Sequence, residues 1–285
     1  MDVHRPDSLS EALELRAAHP QAMAMAGGTD LMVDLNFDRA RPPAVLDLTR
    51  IPELREWSLQ DGHVRVGAGV TYTRIMAELG DRLPGLAVAS RTVGSLQIRN
   101  RGTVGGNLAT ASPAGDALPP LYTADAVVEL ASTRGTRRVQ VAELITGPKR
   151  TALAADELIA GFTLPAATGP QEFAKVGTRN AMVISVCAVS LALWPVERRV
   201  AICIGSAGPT PIAATAAAAF IAGELDWDGL RRSSDAALAR FGELAGAAAQ
   251  PIDDVRGTAD YRRHAVGVLA RRTLGWAWGR MPAWS

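Results

Sequence analysis

The chain has 285 residues, enough for two units with separate cores, and its 48% hydrophobic and 21% charged content is that of a soluble globular protein. A net charge of +1 without a long basic stretch gives nucleic-acid binding no electrostatic footing. The longest apolar run, near residues 182–194, is too short and too punctuated to span a bilayer, and Met1-Asp2-Val3-His4-Arg5 lacks the apolar core of a signal peptide, so the expected address is the cytoplasm.

Ser8 and Glu11 have capping-box spacing and predict a helix over residues 9–18, stopped by Pro20. A short strand at 22–26, a short helix at 29–37 and a strand at 44–48 then form a small βαβ-like unit ending near Arg55. Residues 64–69 alternate like a strand, 73–79 read as a helix capped by Thr71 or Thr73, and 82–93 as another helix. Residues 97–107 lead into a glycine loop, and 117–124 make a helical turn around Pro119-Pro120. Strands at 126–131 and 137–141 are joined by Ser132-Thr133-Arg134-Gly135-Thr136, which has hairpin composition, and a strand at 157–164 ends at Pro165. The composition shifts at Pro165-Ala166-Ala167-Thr168-Gly169-Pro170, which predicts a boundary. Beyond it, 173–176, 183–193 and 199–205 read as a strand meander, and 211–222, 235–249 and 259–276 as helices. Cys187 and Cys203 fall inside apolar segments and read as buried small hydrophobes, and two cysteines exclude a four-cysteine iron–sulfur site in this chain. His4, His19, His63 and His264 have no ligand spacing, so no metal site is expected. Trp57, Trp194, Trp227, Trp276, Trp278 and Trp284 read as packing residues.

Two glycine clusters carry the chemistry. Ala26-Gly27-Gly28-Thr29-Asp30 stands between a strand and a helix, a geometry that aims backbone donors at an anion. Gly102-Thr103-Val104-Gly105-Gly106-Asn107 leads on to Thr110-Ala111-Ser112-Pro113 and Asp116, combining glycines with hydroxyls, an amide and a carboxylate. Glycine lets a ligand approach the main chain, and a run of N–H donors makes an anion site, so the expected ligand is a phosphate or diphosphate belonging to a nucleotide or flavin. Gly67 and Gly69 read as strand-turn glycines rather than ligands. The pattern G-x-G-x-x-G is absent, no Walker lysine follows either cluster, and neither H-E-x-x-H nor G-x-S-x-G occurs.

The two clusters, in this order and at this separation, resemble the FAD-binding medium subunit of the molybdenum hydroxylases, the xanthine dehydrogenase and carbon monoxide dehydrogenase family. The resemblance continues through Arg134-Gly135-Thr136-Arg137-Arg138, Lys175-Val176-Gly177-Thr178-Arg179, Gly208-Pro209-Thr210-Pro211 and Tyr261-Arg262-Arg263-His264, nearly the whole chain. It implies an α+β fold: a two-subdomain FAD-binding domain of the vanillyl-alcohol oxidase (PCMH) type over residues 1–168, with subdomains of about 1–55 and 56–168, and a C-terminal antiparallel sheet backed by helices over 169–285. It implies that Met25, Ala26, Gly27, Gly28, Thr29 and Asp30 hold the FAD diphosphate, and that Thr103, Gly105, Gly106 and Asn107 close on the same cofactor. Asp116 would accept bonds from FAD hydroxyls, Leu158 would lie in the strand lining the flavin ring, and Lys175 would stand near the ring.

On this resemblance the chain is expected to act as a flavin subunit with no catalytic acid or base of its own. It would take electrons from two 2Fe–2S clusters of a small iron–sulfur partner, with molybdopterin in a large partner, and pass them to NAD, dioxygen or another acceptor. A dimer of heterotrimers is expected. The Thr29-Asp30 pair and the Ser112-Pro113 run favour xanthine dehydrogenase relatives. The alternatives are a self-contained FAD oxidoreductase of the same flavin fold acting on a small molecule, and an assembly subunit that has lost FAD.

Overall fold

The computed structural model describes residues 1–281. The chain opens with strand β1 (Asp2–His4), which the sequence pattern did not announce, then helix α1 (Leu9–Ala18), β2 (Met23–Met25), α2 (Leu31–Asn36) and β3 (Ala44–Asp47). These strands form a parallel sheet in the order β1-β3-β2, with Asp2 opposite Ala44 and Met23 opposite Val45. Ser8 caps α1 by accepting the Glu11 N–H, whereas the Glu11 carboxylate reaches the Asp7 N–H, one residue earlier than a capping box requires.

The next part holds β4 (Trp57–Gln60), β5 (His63–Gly67), α3 (Tyr72–Glu78), α4 (Pro84–Thr92), α5 (Leu96–Arg101), α6 (Val104–Thr110), α7 (Leu118–Thr123), β6 (Val127–Ser132), β7 (Gly135–Gln140), α8 (Val141–Leu144), β8 (Ile145–Gly147), β9 (Arg150–Thr151) and β10 (Leu158–Pro165). β4-β5-β10-β6-β7 is a five-stranded antiparallel sheet, and β8 pairs with β9. Thr71 is the cap of α3. The glycine loop expected after residue 102 is in fact largely helical. Thr103 is extended, its hydroxyl accepts the Gly106 N–H at 2.9 Å, and α6 starts at once. The capping bond outweighs the poor helix propensity of two adjacent glycines.

The C-terminal part comprises β11 (Gln171–Val176), β12 (Cys187–Trp194), β13 (Arg199–Gly205), β14 (Ile212–Ala213), α9 (Thr215–Glu224), α10 (Asp235–Ala248) and α11 (Ala259–Gly279), with β11-β12-β13-β14 a continuous antiparallel sheet. Two expectations are corrected here. The strand read over 183–193 begins only at Cys187, because Met182 takes a left-handed conformation (φ 49°) and the Val183 carbonyl is bound by Lys175. The helix read over 211–222 begins at Thr215, because Ile212 and Ala213 pair with Ile204 and Cys203 on the sheet edge.

One buried cluster gathers side chains from Ala12 to Leu164, with Ala192 and Trp194 added from β12; a second gathers side chains from Cys187 to Met281. Both cysteines are buried, and desolvation pushes the Cys187 thiol up to about 12. Trp194 donates its indole N–H to the Thr123 carbonyl, and Trp227 and Trp278 meet edge to face. Trp276 is half exposed and so departs from the packing role expected of it, and Trp284 lies outside the described residues. No described helix is long and apolar enough to cross a membrane.

Candidate functional site

The two glycine clusters meet. A Cβ added to Gly27 would lie 1.9 Å from the Arg101 carbonyl oxygen and 2.4 Å from its carbon, so the turn after β2 lies directly against the end of α5. A Cβ on Gly102 would stand 3.3 Å from the Thr29 hydroxyl, and Thr110 donates to the Asp30 carboxylate at 2.9 Å. Gly105 is pressed on Ala68, whose carbonyl oxygen would be 2.4 Å from a Cβ. At Gly27 and Gly105, then, the absent side chain makes room for another stretch of protein backbone. Gly106 is different: among the described residues only the Thr103 hydroxyl, at 3.2 Å, would meet its Cβ.

Between these segments lies a cleft of about 600 Å3, within the range of small-molecule and cofactor sites. Ala26 and Gly27 line it from the first cluster, Thr103, Gly105 and Gly106 from the second, and Leu158 from β10. Met23, Leu48, Leu54, Leu153 and Ile159 also line it, as do the polar residues Arg16, Arg55, Asn100 and Arg101. Gly69 also lines the cleft, although its own N–H is spent on the Leu54 carbonyl at 2.7 Å. Leu158 and Ile159 pair with β6, but the ladder from β10 to β5 starts only at Gly161. The β5 side of Leu158 and Ile159 therefore lies outside that ladder, at the cleft wall. Glu157, whose side chain is almost wholly buried, is held by a two-pronged Arg137 bond at 2.7 and 2.8 Å and by the Ala154 N–H. These bonds, the arginine's first, keep its carboxyl below the usual range.

Other expected residues stand behind the cleft or apart from it. Met25, Gly28, Thr29 and Asp30 shape the first turn without lining the cavity, and Gly28 adopts φ +74° there. Asn107 turns away: its side-chain oxygen accepts the Ala117 N–H at 3.3 Å and its amide fills the space beside Gly115. Asp116 and Lys175 do not line the cleft either. They bond each other at 2.6 Å, both about one-tenth exposed. Lys175 also donates to the carbonyls of Thr92 and Val183, while Asp116 accepts from Ser185 at 2.5 Å and from Thr92 at 3.2 Å. Leu158 and Lys175, expected beside one ring, are thus not brought to one cavity.

Sequence reasoning assigned none of Arg16, Asn100 and Arg101 to the site, although Arg99 and Arg101 stand just before the second cluster. Arg101 directly precedes the second cluster, and Arg16 stands one helical turn after the fully buried Ala12; those positions were the available signals. A second cavity of about 420 Å3 is lined by Ser112, Pro113 and Ala114 together with Ser206, Gly208, Gln250 and Arg262. Among the described residues no group of histidine, cysteine and carboxylate side chains is arranged to hold a metal ion.

Comparison with known proteins places this geometry among relatives. Residues 1–167 match the family model described as the FAD binding domain in molybdopterin dehydrogenase, and residues 173–277 that of the CO dehydrogenase flavoprotein C-terminal domain. The putative xanthine dehydrogenase FAD-binding subunit XdhB of Escherichia coli (strain K12) is 35% identical over 222 residues, covering 73% of this chain and 75% of that protein. The nicotine 6-hydroxylase medium subunit of Paenarthrobacter nicotinovorans is 30% identical over 274 residues, covering 94% of each. In reconstituted CO dehydrogenase from Oligotropha carboxidovorans, a chain superposes with a TM-score of 0.89 at 27% identity, covering 98% of both.

Proposed function

The chain belongs to the FAD-binding medium subunits of the molybdenum hydroxylases, the xanthine and carbon monoxide dehydrogenase family, and from that premise we propose how its residues serve the flavin. The observation that carries the proposal is the contact of Gly27 with the Arg101 carbonyl, which sets both glycine clusters on one cleft.

The cleft suits a dinucleotide on chemical grounds. Backbone N–H groups of Ala26, Gly27 and Gly105 would hold the diphosphate, as neutral N–H donors do in anion-binding turns, while Gly106, its own N–H bound to Thr103, would leave room for the diphosphate to approach. The aliphatic wall of Leu48, Leu153 and Leu158, with the strand edge at Leu158 and Ile159, suits a flat heterocycle, and we assign the adenine there. The Asp116–Lys175 pair would serve the ribityl and ring half, the carboxylate accepting from hydroxyls and the ammonium stabilising negative charge on the ring. FAD, when bound, supplies the two-electron chemistry, and the protein supplies its placement and electrostatics.

The flavin domain, of PCMH type, spans residues 1–168 and the C-terminal domain 169–285. Electrons come from two 2Fe–2S clusters in a small partner fed by a molybdopterin-bearing large partner, in a cytoplasmic dimer of heterotrimers. The acceptor is NAD, dioxygen or another carrier, and a substrate of the xanthine dehydrogenase kind is preferred. Purification of the native complex tests this: the reading predicts flavin absorption together with molybdenum and iron in separate co-purifying chains. A folded complex without flavin, or a lone flavin-bearing chain that turns over a small molecule, would overturn it.

A further inference from the structure

Helix α1 carries a charge where its pattern calls for an apolar side chain. Ala12 is fully buried, Leu9 and Leu13 pack on the same core, and Arg16 follows Ala12 by one turn on that face. Its Nη1 donates to the Ala22 carbonyl at 2.5 Å, but its buried Nε has no partner among the described residues. Burial pushes the guanidinium pKa down, opposed by the nearby Asp156 carboxylate, which is itself paired with Arg134. A half-buried cation with an unmet N–H costs the free chain stability that a leucine at this position would not. Arg16 nevertheless lines the cleft, beside Ala22, Met23 and Ala24.

Its place along the cleft narrows the ligand. Ala22 immediately precedes β2 and Gly27 lies two residues past its end, about 16 Å away for extended chain. Arg16, Leu153 and Leu158 line one cleft, and the Asp156 carboxylate that acts on Arg16 stands two residues before Leu158. A dinucleotide with its diphosphate at Gly27 carries a ring system on either side of that bridge. Bound to the Ala22 carbonyl, Arg16 is on the side away from the diphosphate turn, in the cleft that Leu158 also lines. Adenosine offers a guanidinium what the free chain lacks there, a π face to stack on and ring or ribose acceptors for its N–H groups.

We propose that Arg16 is a binding residue for the adenosine half of the cofactor, its guanidinium covering the adenine and ribose at the Leu158 end of the cleft. This rests on the flavin reading above. The test uses the full-length chain freed of flavin, titrated calorimetrically with FAD, with FMN, which has the flavin but no adenosine, and with 5′-AMP. Arg16→Leu is expected to weaken FAD and 5′-AMP alike, on the order of tenfold, to leave FMN within about twofold, and to raise the Tm of the flavin-free chain. Arg16→Lys, which keeps the charge but loses the planar fork, is expected to weaken FAD as well. Unchanged FAD affinity in Arg16→Leu, or equal weakening of FAD and FMN, would overturn the inference and leave the flavin reading standing. A folded wild-type chain that binds no FAD would overturn both.

Discussion

At the scale of single residues, Gly27 is the most tightly packed glycine of the cleft. Any side chain there collides with the Arg101 carbonyl. Gly27→Ala is expected to lose roughly 1–3 kcal/mol of stability and to lose bound FAD, by thermal melting and by flavin retention through gel filtration. Glu157 makes the pH prediction. Its folded carboxyl sits below the ordinary value because Arg137 binds it, so its contribution is present above the unfolded value of about 4.3 and is lost as pH falls through the folded one. The Tm gap between wild type and Glu157→Gln should therefore be widest near neutrality and narrow progressively as pH falls below about 4.3. The sequence made both clusters visible because glycine runs flanked by Thr and Asp are rare local signals. It gave no hint that Asn107 faces the Gly115–Ala117 turn rather than the cleft, since orientation within α6 depends on the tertiary partner. Arg16 stayed hidden because an arginine in a helix's last turn ordinarily reads as a favourable match to the helix dipole.

At the scale of elements, the cleft depends on where α6 starts. Thr103 both caps that helix and lines the cavity. Thr103→Ala should cost about 1 kcal/mol, measured by denaturant unfolding, while Thr103→Ser restores most of it. The strands and long helices were legible from periodicity, and β6–β7 from its turn composition. What periodicity missed was short or context-made. β1 is only three residues long and exists by pairing with β3. β14 replaces the start of a helix because a sheet edge was available to pair with. Helix α6 was hidden because glycine composition points to loop, and only the cap and the contact with Ala68 decide otherwise.

At the scale of the whole molecule, the Asp116–Lys175 pair joins segments that are far apart in sequence: α4 through Thr92, the turn before α7, β11, and the approach to β12 through Val183 and Ser185. Removing one member of a buried pair leaves the other uncompensated, so Lys175→Met should lose about 3 kcal/mol, and Asp116→Asn added to it should cost much less than a second such loss. If the ammonium also stabilises the reduced ring, the same Lys175→Met protein shows a lowered flavin midpoint potential, which a purely structural tie would not produce. The family's two-part layout was legible from the order of the motifs, whereas the separation of Leu158 from Lys175 was not, because motif order carries no distances. The central claim is that both glycine clusters grip one diphosphate, and a crystal structure of the full-length chain grown with FAD tests it most directly. The account predicts diphosphate oxygens within about 3 Å of backbone nitrogens from both the 26–30 turn and the start of α6; a diphosphate held by only one of them, or bound outside the cleft, would contradict it.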